Sequence, residues 1–283
     1  MAHKSLLTLY LLAFVFVLNI SCGSSGSSTS TIDPDDLIDA SDVASEEVQL
    51  SSKEYLHVET GVIISWEATP EIFPKHWLED PFNGIATPIA EDQVQDAIDI
   101  IVNGLNKYPK TILQDNLVKV YVTETLSFYD LNYGGTLESV TKRIYITKKG
   151  NSKTDERLFH HEFSSILSKY YPNLLDEITW DSTNPEDFNY GTGGVDAIKN
   201  GNVGQRFWEI HLVNGFLGLY STSSMVNDFN LYAEYLFSGN EEFWFYVDNY
   251  EKVGIKARLT IDFYNSIDPM FTEEYFRSIP EIE

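Results

Sequence analysis

Hydrophobic and polar positions follow two rhythms along this chain. Between residues 56 and 148 the strand signal dominates, as alternating or continuous apolar runs bounded by turn residues. Leu56 to Trp66 (LHVETGVIISW), Leu117 to Thr123 (LVKVYVT) and Arg143 to Lys148 (RIYITK) read as strands. Pro70 to Pro88 holds four prolines and reads as irregular, and Tyr133-Gly134-Gly135 as a turn. A helical rhythm interrupts at Glu91 to Tyr108, where Val94, Ala97, Ile98, Ile101, Val102 and Leu105 share a face and Pro109 ends the run. It returns over Thr154 to Tyr171, closed by Pro172. Thr179 to Gly204, rich in Asn, Asp and Gly, reads as a long loop. From Gln205 onward the pattern is helical: Val226 to Phe237, Glu241 to Tyr250, Lys252 to Asn265 and a last short helix opening at Thr272. Strands with one helix, then the 154–171 helix, then mostly helices predict an α+β fold. A small sheet should lie beside the 154–171 helix, with a helical C-terminal part from about residue 205.

The N-terminus is of another kind. Lys4 precedes an almost wholly apolar run from Leu6 to Ile20, shorter than the ~20 residues of a membrane span, so residues 1–21 read as a cleaved export signal. The run ends Asn19-Ile20-Ser21-Cys22-Gly23, and Cys22 is the only cysteine among 283 residues. That placement resembles a bacterial lipoprotein signal, in which the cysteine receives lipid; Asn19 departs from the aliphatic residue usual there. Residues 22–52 begin with Gly, Ser and Thr only and continue acidic and aromatic-free, a composition suited to a flexible tether. Residues 53–283 suit one domain. The net charge of −24 argues against nucleic acid and anionic lipid surfaces as partners. With 43 Asp and Glu, a close carboxylate pair carries no information by itself. Gly191-Thr192-Gly193-Gly194 lacks the Gly-Lys-Ser/Thr ending of a phosphate loop and reads as loop.

Candidate chemistry sits in the 154–171 helix, within His160-His161-Glu162-Phe163-Ser164-Ser165. HExxH places two histidines one helical turn apart on one zinc ion, and the intervening glutamate takes a proton from zinc-bound water. Here His161 and Glu162 are present and Ser165 stands at the second histidine position. A serine hydroxyl is short, neutral and a poor zinc ligand. At about 100° per residue, Phe159, Phe163, Ile166, Leu167 and Tyr170 form a core stripe, and His161 and Ser165 lie nearly opposite it. That opposite face meets either solvent or a cleft roofed by the C-terminal helices. His160, roughly 100° round the helix, is badly placed to share one ion with His161. His211, in Trp208-Glu209-Ile210-His211, is a conceivable replacement ligand.

Phe159-His160-His161-Glu162-Phe163 is similar to the start of the active helix in a family of lipid-anchored, zinc-binding metallopeptidases of Gram-negative bacteria. A Gly215-Phe216…Tyr220…Ser223-Ser224 segment followed by Asn227-Asp228-Phe229 and Ala233-Glu234 extends the likeness. The resemblance implies a zincin-like fold, outer-membrane anchoring through Cys22, Glu162 as general base, and zinc held by His161 with a downstream carboxylate, Glu234 or Asp228. These two point roughly 120° apart on a helix, so at most one reaches a given metal. The departures are Ser165 and Asn227, the latter where an acidic residue is frequent. They favour a degenerate, non-catalytic member whose cleft binds peptide, protein or glycan, with zinc possible or absent. The alternative is an active zinc peptidase using His161, Glu234 and Glu162.

Overall fold

The computed structural model describes residues 50–282; the proposed signal, Cys22 and nearly all of the tether lie outside the described residues. The first strands are β1 (Glu54–His57) and β2 (Val62–Ser65), then β3 (Ile85–Thr87). Helices α1 (Val94–Leu105) and α2 (Lys110–Asn116) lead to β4 (Lys119–Thr123), β5 (Thr125–Phe128), β6 (Leu131–Asn132), β7 (Gly135–Glu138) and β8 (Arg143–Thr147). The rest is helical: α3 (Ser152–Tyr170), α4 (Glu177–Thr183), α5 (Gly194–Lys199), α6 (Glu209–Leu212), α7 (Met225–Leu236), α8 (Glu241–Asn249), α9 (Glu251–Ile267) and α10 (Glu273–Ser278). The α+β expectation therefore holds, with all strands before residue 148.

Five strands form the main sheet in the order β1-β2-β4-β8-β7. The inner strands β2, β4 and β8 run parallel, while β1 and β7 pair antiparallel at the two edges. Alternation on β4 and β8 explains why both faces are covered. Val120, Val122, Ile144 and Ile146 point into the large core shared with α1 and α3. Tyr121 and Tyr145 point the other way, into a second cluster with Ile72, Phe73, Leu126 and Phe128. The two tyrosines stack at 5.0 Å, and the Tyr145 hydroxyl donates to the Ile72 carbonyl (2.7 Å). A small sheet, β3-β5-β6, sits with this second cluster.

Helix α3 is the central pillar. The Asn151 side chain caps it by accepting from the Thr154 amide. Phe159, Phe163, Ile166 and Leu167 are fully buried, as the stripe predicts; Tyr170, the last of that stripe, is exposed. Gly104 of α1 permits the close approach, since a β-carbon there would meet Phe159 Cδ1 at 2.7 Å. The opposite face is not solvated: α7, capped by Ser224, packs along it. His161 and Ser165 are each 6% exposed.

Several elements differ from their sequence reading. Leu56 to Trp66 is a hairpin turning at Gly61, whose positive φ of 75° suits glycine. Helix α1 stops at Leu105, short of Tyr108, and Pro109 caps the start of α2 instead of ending α1. Two short helices, α4 and α5, lie in the supposed loop. Gly135 opens edge strand β7 rather than completing a turn.

Candidate functional site

Helices α3 and α7 face each other antiparallel, and each presents polar residues at turn spacing. Arg157, His161 and Ser165 are successive rungs of α3; Glu234 and Asn230 are rungs of α7. His161 Nδ1 lies 2.5 Å from Glu234 Oε1, and Arg157 Nε donates to Glu234 Oε2 at 3.3 Å. Arg157 also donates to the Gln205 side chain (3.0 Å) and lies over the Tyr235 ring. One turn on, Asn230 donates to Ser165 Oγ (2.6 Å) and accepts from Ser164 Oγ (2.6 Å). Burial works to lower the His161 pKa, but the hydrogen bond and charge of Glu234 outweigh it and raise it. Arg157 is likewise held protonated: Glu234 outweighs its burial.

Glu162 behaves differently. It is 8% exposed and lines a cavity of about 530 Å³, yet makes no hydrogen bond or ion pair among the described residues. Burial pushes its pKa up to about 7, reinforced by Glu234 and opposed by His161 and Lys169. The same cavity is lined by His161, Ser165, Tyr220 and edge strand β7 from Gly135 to Leu137. Two glycines bring strand and helix together. A β-carbon on Gly135 would lie 2.8 Å from Glu162 Oε1, and one on Gly134 would lie 3.2 Å from Leu158 Cδ2.

The remaining candidates lie elsewhere. His160 is wholly buried, accepting at Nδ1 from the Tyr108 hydroxyl (2.8 Å) and facing Glu156 with Nε2 (3.4 Å). A carboxylate only accepts, so the proton sits on Nε2. Burial drives the His160 pKa to about 4, keeping it neutral, and its ring stacks on Phe237. It is a core residue pointing away from His161. Asp228 is fully buried and accepts from Lys256 (2.6 Å), Tyr190 (2.8 Å) and the Trp180 indole (3.2 Å). His211 stacks on exposed Trp208 in the short α6. Of the residues singled out in sequence, the fold thus gathers His161, Glu162, Ser165 and Glu234, and leaves His160, Asp228 and His211 in other contacts. Arg157 and Asn230 were missed; their only signal is the four-residue spacing from His161 and Glu234.

A zinc ion takes three protein ligands and an open position. The donors here are one imidazole and one carboxylate, bonded to each other, with a guanidinium on the carboxylate's second oxygen. Ser165, at the second histidine position, is bound by Asn230. Among the described residues no group of three or more His, Cys, Asp and Glu side chains is gathered to hold a metal. As placed, these residues do not fit a zinc ion. No protein-family model, curated protein or solved structure matches the chain.

Proposed function

We propose that this chain is an exported envelope protein, lipid-anchored through Cys22 to the outer membrane of a Gram-negative bacterium, whose zincin-like domain is a non-catalytic relative of zinc metallopeptidases. Its cleft binds an extended peptide or protein segment without cutting it. The observation that carries this reading is the Arg157–Glu234–His161 triad. Arg157 supplies beside Glu234 the positive charge that a metal would supply, and Glu234 in turn favours the protonated form of His161. Asn230 fills the neighbouring rung, so the space between the helices is closed by hydrogen bonds.

The peptide part of the reading, in preference to a glycan, rests on β7. Among the described residues it is an edge strand, paired on one side only with β8, and it lines the cavity. An edge strand offers backbone donors and acceptors to an added strand, with alternate side chains entering flanking pockets. Incubating the protein and added zinc with denatured casein and a pool of unstructured peptides tests the proposal. Retention of peptides with no new cleavage products is expected. Cleavage that disappears in Glu162→Ala would establish the peptidase alternative instead.

A further inference from the structure

The floor of the cavity is chemically unfinished. Glu234 has its charge matched by Arg157 and His161. Glu162, over nine-tenths buried, has no donor at all among the described residues and faces the cavity. A buried carboxylate without a donor is costly, and bringing a charged donor to it recovers more than a neutral one does. The position of the carboxylate decides where the donor comes from. Its Oε1 lies against Gly135, the first residue of β7, with no side chain between. A strand added to the β7 edge would run past that point. Its side chains directed to the α3 face of the sheet would enter the cavity beside Glu162. The lysines on the cavity wall, Lys149 and Lys169, are both exposed, where solvent and salt screen their repulsion. The net charge of −24 favours approach of a basic segment.

On these grounds we infer that the cleft is a receptor for basic peptide segments: a lysine or arginine side chain of a strand laid along β7 enters the cavity and pairs with the Glu162 carboxylate. This rests on the peptide-cleft reading above and names its ligand. The partner would be a protein with an accessible extended segment carrying a basic residue among small or β-branched neighbours.

The test uses the full-length chain and fluorescein-labelled heptapeptides Thr-Val-Thr-X-Thr-Val-Thr, with X as Lys, Arg, norleucine or Glu, read by anisotropy at pH 8. The Lys and Arg peptides should bind at least tenfold tighter than norleucine, since a charge-assisted hydrogen bond to a desolvated carboxylate is stronger than an apolar contact beside it. Glu162→Gln should remove that preference, bringing the Lys and Arg peptides to within about twofold of norleucine on the variant. Equal binding of all four peptides, or preference for Glu, would overturn the basic-segment assignment and leave the peptide cleft standing. No binding by any peptide, with binding of a glucosamine hexamer instead, would overturn both. The wild-type series decides between these outcomes even if the variant proves unstable.

Discussion

Glu162→Gln should make this protein more stable above neutral pH. The glutamate is buried without a hydrogen-bonding partner, and its pKa stands at about 7 against an ordinary 4.5. A raised carboxyl means that the folded state holds its proton over a range in which the unfolded chain has released it. Stability from this group is therefore full below about pH 4.5 and declines as pH rises toward and through 7. At about 1.4 kcal/mol per pH unit, the decline amounts to ~3 kcal/mol. Glutamine has the same shape and no charge to desolvate. Urea denaturation should give variant and wild type stabilities within about 1 kcal/mol of each other at pH 5. At pH 8.5 the variant should be ahead by ~3 kcal/mol, or roughly 6–12 °C in melting temperature for a domain of this size. A variant less stable than wild type at pH 8.5, or an advantage that does not grow with pH, would refute the reasoning. A stabilising substitution at a cavity-facing position is what a functional group retained at a cost in stability predicts.

Two further outcomes follow from neighbouring geometry and a third from the proposed lipid anchor. Glu234→Gln weakens two charge-assisted contacts and leaves Arg157 and His161 without a counter-charge, so denaturation at pH 6 should show a loss of about 3–5 kcal/mol. The raised His161 pKa means that its contribution is full below about pH 6.5 and fades as pH rises through the folded value, so the same substitution should cost less at pH 8.5. Asp228→Asn strands fully buried Lys256 and should lower stability by about 3–5 kcal/mol, measured by urea titration, with peptide binding in the remaining folded protein unchanged. Cys22→Ala should abolish incorporation of labelled palmitate and move the protein from the membrane to the soluble fraction of expressing cells.

The long helices were legible because periodicity and caps agree. Val226 to Phe237 was read where α7 runs from Met225 to Leu236, and Thr154 to Tyr171 where α3 runs from Ser152 to Tyr170. The strand at Leu56 to Trp66 concealed a hairpin: the chain turns between His57 and Val62, where Glu59, Thr60 and Gly61 separate two short strands. Short α4 and α5 escaped because Asn, Asp and Gly serve there as caps and turns of helices too brief to show a period. Gly134-Gly135 carries a turn signal, yet both glycines are required by how closely Leu158 and Glu162 press on β7. Four of the six gathered site residues, His161, Glu162, Ser165 and Glu234, could be read from the sequence. His161 and Glu234 are marked by residue type and by spacing within their helices, and they do meet. Arg157 and Asn230 cannot be read so, because their roles depend on partners 65 to 77 residues away. The expected solvated alternative for the His161 face failed because α7 brings its own polar ladder to cover it.

The proposal turns on Arg157 supplying beside Glu234 the positive charge that a metal would supply. Elemental analysis of untagged, dialysed protein tests it most directly, run beside a double variant, Arg157→Gln with Ser165→His, that puts a histidine at the second motif position and withdraws the guanidinium. The account predicts well under one zinc per chain in the wild type and close to one in the double variant. Stoichiometric zinc in the wild type that is lost on His161→Ala would contradict it.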